Sequence, residues 1–125
     1  MNRMQGDERS PVVLVVDDHE DTRQMSLLVL SSQGFTARAA ESGESAFANA
    51  CQQPPDVIVT DLAMPDGDGW ELVQRLAADP RTKSIPVVML TAFPPPAVPA
   101  AVDLVVTKPF LLQTLRDALQ KMLGL

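Results

Sequence analysis

Tyrosine is absent from these 125 residues, tryptophan, cysteine and histidine occur once each, and aromatic residues make up only 4%. With Cys51 alone, no internal disulfide can form. It lies in an apolar helical pattern, where a buried thiol is expected rather than a reactive one, and a reducing compartment suits it. Trp70 and Phe47 have too few aromatic companions to build a cofactor cage and are read as helix packing groups. No apolar run approaches the length of a membrane span, and Met1 to Ser10 is polar and mixed in charge, unlike a signal peptide. There is no basic cluster either. A net charge of -6 and a pI near 4.5 describe a surface that repels a phosphate backbone, which argues against direct nucleic-acid binding. These absences together predict a soluble, cytoplasmic protein that needs no disulfide to fold.

What is present is apolar mass in short blocks. At 46% hydrophobic, the chain can build a single core, so we expect one domain over residues 11–125 behind a flexible N-terminal tail, residues 1–10. Pro11 opens Val12 to Val16, an unbroken apolar run of strand length that stops at Asp17-Asp18. Val57 to Val59 is a second such run and delivers Asp61. Val87 to Leu90 is a third, ending at Thr91. Leu104 to Val106 is a shorter one, followed by Thr107-Lys108-Pro109. Phe35 to Ala40 reads as a strand mainly by its position. Runs without polar alternates are strands buried on both faces of a parallel sheet.

Between the runs the period changes to that of a helix. Met25, Leu28 and Val29, widened by Leu27 and Leu30, form a first stripe, with Gly34 at the C-cap position. Ala46, Phe47, Ala50 and Cys51 form a second, closed by Pro54-Pro55. Leu72, Val73, Leu76 and Ala77 form a third, opened by an Asp68/Glu71 pair that resembles a capping box and stopped by Asp79-Pro80. Leu111, Leu115, Ala118 and Met122, with Leu112, Leu119 and Leu123 beside them, place a last helix over Phe110 to Leu123. Strands alternating with helices predict an α/β fold, with a parallel sheet covered on both faces and right-handed crossovers.

In such a sheet ligands bind at the carboxyl ends of the strands. Asp17-Asp18, Asp61, Thr91 and Lys108 all fall there. Any one of them alone has a plain explanation: a helix cap, a strand-end hydroxyl, a solvated lysine. Their joint placement does not. Carboxylates gathered at one edge repel by on the order of 4 kcal/mol per close pair near a surface, so a positive partner is required. Mg2+, a hard cation taking a few carboxylates, a carbonyl and waters, fits that need, and Lys108 supplies a second positive point. Metal, ammonium and hydroxyl around one carboxylate suit phosphoryl transfer with aspartate as the nucleophile. His19, beside the acids, is read as a solvated loop histidine, neither a phosphohistidine nor a metal ligand.

The chain resembles the receiver domain of two-component response regulators. The matching pieces are Val16-Asp17-Asp18, Asp61-Leu62-Ala63-Met64-Pro65 with Asp68-Gly69, Thr91-Ala92 and Lys108-Pro109-Phe110, spread from about Val12 to Leu123. The resemblance implies a flavodoxin-like, doubly wound five-stranded sheet of order 2-1-3-4-5, an order the general rule for this class already names. It implies Asp61 as phosphoacceptor, Asp18 as a direct Mg2+ ligand, Asp17 as a ligand through water, and Asp61 with the carbonyl of Ala63 completing the metal site. Thr91 and the amide of Ala92 would bind the phosphoryl group, Lys108 would pair with it, and Lys108-Pro109 would be a cis peptide. The implied partners are a histidine kinase or histidine phosphotransfer protein and a downstream protein target. The activity is that of a phosphoacceptor switch rather than an enzyme acting on an external substrate. A haloacid-dehalogenase-like phosphatase needs a second aspartate two residues after the first, where this chain has His19. A receiver-like interaction module that is never phosphorylated could dispense with the acids or the lysine, which are all present. Because the chain stops at Gly124-Leu125, no output domain is expected within it: it acts alone through protein contacts or belongs to something longer.

The output side departs from the family pattern. Phe93-Pro94-Pro95-Pro96-Ala97-Val98-Pro99 occupies the place of a fourth helix, and proline inside a helix costs about 3 kcal/mol or more. A proline-rich loop or a single turn is expected there, so the fourth helix is shortened or missing. Val105 stands where the family carries a switch aromatic. Signal output is therefore expected to pass through movement of the loop Ala92 to Ala101, with Phe93 as its aromatic part. The alternative is a phosphate sink with little conformational output.

Overall fold

The computed structural model describes residues 10–61, 68–92, 99–110 and 112–124, the side chain of Asp68 excepted. Five strands, β1 (Val12–Val16), β2 (Thr36–Ala40), β3 (Val57–Asp61), β4 (Val87–Thr91) and β5 (Leu104–Thr107), form one parallel sheet of order β2-β1-β3-β4-β5. Among the described residues there are four helices, α1 (Glu20–Ser32), α2 (Gly43–Gln52), α3 (Asp68–Ala78) and α4 (Leu112–Leu123). This is the expected doubly wound arrangement. β3 and β4 run to Asp61 and Thr91 and β5 to Thr107, so the polar residues belong to the ladder and are held by it.

Strand alternation divides the core in two. Leu14, Val16, Ile58, Val87 and Met89 face Ala46 and Ala50 of α2 and Leu72, Val73 and Leu76 of α3. Val13, Val15, Val57, Val59, Val88 and Val106 face Leu30 of α1 and Leu115, Ala118 and Leu119 of α4. Both faces being covered is the physical reason the central strands carry no polar alternates. β2, at the sheet edge, has only Ala40 fully buried, which explains its weak apolar pattern.

Helix ends follow their local chemistry. The Ser42 hydroxyl caps α2 by accepting the Ser45 N–H at 3.1 Å, with the reciprocal bond from Ser42 N to Ser45 Oγ. Gly34 follows α1 at φ +96°, a backbone region glycine enters without cost. At the amino edge of the sheet two carboxylates satisfy strand amides: Asp56 Oδ2 accepts from Val12 N at 2.7 Å, and Asp103 Oδ2 from Val87 N at 2.8 Å.

Several expectations about helix faces need correction, and Trp70, read as a packing group, is 40% exposed on α3. On α1, Met25 and Leu28 are 61% and 69% exposed, whereas Leu27, Val29 and Leu30 turn inward as expected, joined by Arg23 and Ser26. Four consecutive apolar residues, Leu27 to Leu30, encircle the helix, so apolar spacing could not fix which side faces the sheet. Ala77 of α3 is exposed, its small side chain losing little by facing water. α4 begins at Leu112 rather than Phe110, and Leu112 is 51% exposed. Residues 99–103 form turns ahead of β5 and contain no helix. Residues 1–9, 62–67, 93–98, 111 and 125 and the side chain of Asp68, on which the loose tail, the Ala63 carbonyl, the Asp68 cap, most of the proline-rich loop and the Leu111 position fall, lie outside the described residues.

Candidate functional site

The carboxyl edge of the sheet gathers the polar residues that the strand ends promised. Asp17 follows β1, with its N–H donated to the Ala40 carbonyl at 3.2 Å, and is 6% exposed. Asp61 ends β3 and is 8% exposed; Thr91 ends β4 and is 4% exposed. Acids this deeply buried need charged or hydrogen-bonding partners. For Asp61 the partner is Lys108, whose Nζ lies 2.6 Å from Asp61 Oδ2, a charge-assisted bond from the end of β5 to the end of β3 across β4. The Lys108 N–H is donated to the Thr91 carbonyl at 2.8 Å, which ties the lysine backbone to β4. Lys108-Pro109 is a cis peptide, as the resemblance implied. Ala92 is exposed immediately after Thr91.

The acid pair is organised by the turn into α1. Asp17 Oδ1 accepts the His19 N–H at 2.8 Å, and Arg23 Nη1 donates to the Asp17 carbonyl at 2.9 Å. Arg23, an inward-facing helical arginine, was not singled out in the sequence; its place one turn after an acid pair was the available signal. Asp18 Oδ1 is closed to solvent and accepts no hydrogen bond. His19 is solvated as expected, its side chain 72% exposed, yet its Nδ1 stands 3.3 Å from Asp18 Oδ1 and 3.6 Å from Asp17 Oδ1.

A shielded carboxylate oxygen without a donor, next to a second carboxylate, is the donor set a hard divalent cation takes. The residues present therefore fit Mg2+. Between α1 and α4 a cleft of about 410 Å³ opens beside this edge, floored by Val15, Leu30, Val59 and Leu115 and reaching Asp17 and Lys108.

A sheet of order 2-1-3-4-5 with acids, a threonine and a lysine on its carboxyl edge defines a receiver. The family model of the response regulator receiver domain matches residues 13–120, and the chain belongs to that family. It is 39% identical over 82 residues to the DNA-binding dual master transcriptional regulator RpaA of Synechocystis sp., covering 66% of this chain and 34% of RpaA. It is 38% identical over 80 residues to the response regulator PleD of Caulobacter vibrioides, covering 64% of this chain and 18% of PleD. The chain thus spans about a third or less of these two regulators. The chemotaxis protein CheY4 of Vibrio cholerae has a similar structure, with a TM-score of 0.82 and 31% identity over 90% of this chain and 98% of that one.

Proposed function

We propose that this chain is a phosphorylatable signalling switch in which Asp61 takes a phosphoryl group from a histidine kinase or a histidine phosphotransfer protein and thereby alters its contacts with a downstream protein. The observation that carries the reading is the Lys108–Asp61 pair at 2.6 Å, set beside the buried Asp17 at the same sheet edge. A carboxylate oxygen of Asp61 forms the new O–P bond as the P–N bond of the donor's phosphohistidine breaks, and the electron pair of that bond remains on the leaving imidazole nitrogen. Lys108 is anchored where the phosphoryl oxygens arrive and moves from pairing with the carboxylate to pairing with them. The Thr91 hydroxyl and the Ala92 amide donate to the same oxygens.

Asp18 would hold Mg2+ directly and Asp17 through water, with Asp61 and the Ala63 carbonyl completing the protein's share. The ion, when bound, neutralises charge that builds up on the transferring group. Arg23 keeps the acid-bearing turn in place through the Asp17 carbonyl.

Labelling with acetyl phosphate or a phosphorylated kinase tests the acceptor. Asp61→Asn is expected to abolish it while leaving the fold intact, because an amide is a far poorer nucleophile than a carboxylate. Equal labelling of Asp61→Asn and the parent would move the acceptor elsewhere.

A further inference from the structure

The two faces of the sheet are closed differently. On one, α2 packs directly on α3; on the other, α1 and α4 make no comparable contact, and the cleft of about 410 Å³ lies between them. Its α1 wall is Thr22, Met25, Ser26 and Val29, which share one face of the helix. The opposite wall is Phe110, Leu112 and Leu115, and the sheet supplies a floor of Val15, Val59 and Leu90. Met25 and Leu112, 61% and 51% exposed, stand on the two walls. Protein interiors are close-packed, so an apolar recess of this size points to an occupant. Its volume is at the low end of small-molecule sites, and about one turn of a helix some 10 Å across would fill it, so the fit is to a small molecule rather than to a helical partner.

Charge sets the chemistry of that molecule. Among the described residues, the ionisable groups on the lining are Asp17, Asp21 and Lys108. Lys108 is matched by Asp61 at 2.6 Å, which leaves the two carboxylates to set the sign of that end. The hydroxyls of Thr22 and Ser26, on the same wall as Asp21, can accept hydrogen bonds from a cationic head. We infer that the cleft binds a small organic ammonium, an apolar chain or ring carrying a protonated amine, with its body on Val15, Val59 and Leu115 and its amine toward Asp17 and Asp21. Because Asp17 is the proposed water-bridged Mg2+ ligand, such an amine opposes Mg2+ and holds the switch unphosphorylated. That consequence rests on the function proposed above; the binding site itself does not.

Octylamine, 1-octanol and octanoate test this, since they carry one apolar body with a positive, a neutral and a negative head. Each is titrated into the full chain near neutral pH and read by methyl NMR and calorimetry, in the parent, in Asp21→Asn and in Ser26→Phe, which fills the cleft from the α1 wall and leaves the acids in place. In the parent, octylamine should bind about tenfold tighter than octanoate and move the methyl signals of Val15, Val59 and Leu115. Asp21→Asn should weaken octylamine severalfold and leave 1-octanol unchanged, and Ser26→Phe should weaken both. Octylamine shifts that avoid these methyls overturn the site, and that reading of the parent stands whether or not Ser26→Phe folds. Equal affinity for the three heads overturns the assignment of an ammonium. Mg2+ titrations with saturating octylamine should show severalfold weaker Mg2+ binding. Unchanged Mg2+ affinity overturns the antagonism, whereas a parent that binds octylamine in the cleft but no Mg2+ at all counts against the proposed metal site instead.

Discussion

Asp56 and Asp103 share a residue type with Asp17 and Asp61 but not a task, and the edge of the sheet each occupies makes the difference. The first two spend their carboxylates on the leading amides of β1 and β4, a local use that tightens the fold. The other two emerge where the strands end and share that edge with a lysine. Asp79 shows a third use. After α3 its carboxylate accepts from Arg81 Nε at 3.0 Å and Nη2 at 2.8 Å, and from the Arg81 backbone N–H at 2.8 Å. The guanidinium bonds first, then the backbone bond, hold this carboxyl down from its usual 3.8 to about 2. A depressed folded-state value means that the stabilisation is complete above the unfolded value and is lost as pH falls through about 2. The pair is exposed and screened, so its mark is on titration more than on stability. Carboxyl NMR of Asp79 should show a midpoint near 2 in the parent and one moved toward 3.8 in Arg81→Ala; identical midpoints would show that the pair does not form in solution.

At the scale of elements, α1 is the one whose orientation the sequence misstates. Arg23 and Ser26 sit on its inward stripe because Arg23 reaches the Asp17 carbonyl, and this turns Met25 and Leu28 to solvent. Met25 and Leu28 stand exposed on a helix that starts beside the acid pair, and if the proposed phosphodonor docks on this face, Leu28 is the residue whose loss should show it. Leu28→Ser should change stability by no more than about 0.5 kcal/mol, as for other surface substitutions. It should slow phosphotransfer from the kinase or phosphotransfer protein severalfold while leaving labelling by acetyl phosphate unchanged. An equal effect on both donors would place Leu28 in the chemistry, and no effect on either would place the donor on another face.

Over the whole molecule, the fold is held together by burial and gathers three carboxylates at one edge, with Lys108 paired to one of them. Asp17, Asp18 and Asp61 are brought there by strands whose apolar packing far outweighs their repulsion, so a bound cation should stabilise the folded chain. A tenfold excess of Mg2+ over its dissociation constant contributes about 1.4 kcal/mol, or a few degrees in Tm for a domain of this size. Thermal melts with millimolar Mg2+ and with EDTA should show that shift in the parent and not in Asp18→Ala. A shift that survives in Asp18→Ala would put the ion elsewhere. No helix among the described residues is long and apolar enough to cross a membrane.

The sequence by itself determined the strands, their parallel arrangement and the polar residues at their ends. A strand buried on both faces is apolar over most of its length, and the polar residues that close it, Thr60-Asp61 in β3 and Thr91 in β4, lie at its carboxyl end next to the sheet edge. The weakly apolar β2 was legible only through that order, since an edge strand is not compelled to be apolar. Only the tertiary structure decided which side of α1 faces inward, that Arg23 clamps the acid turn, that Asp56 and Asp103 cap strands, and that His19 stands over the acids. Each of these rests on a side-chain contact whose geometry the fold sets, between strands for Asp56 and Asp103 and within the turn into α1 for Arg23 and His19. Such contacts depend on distance and direction in space, which neither hydrophobic period nor residue spacing encodes.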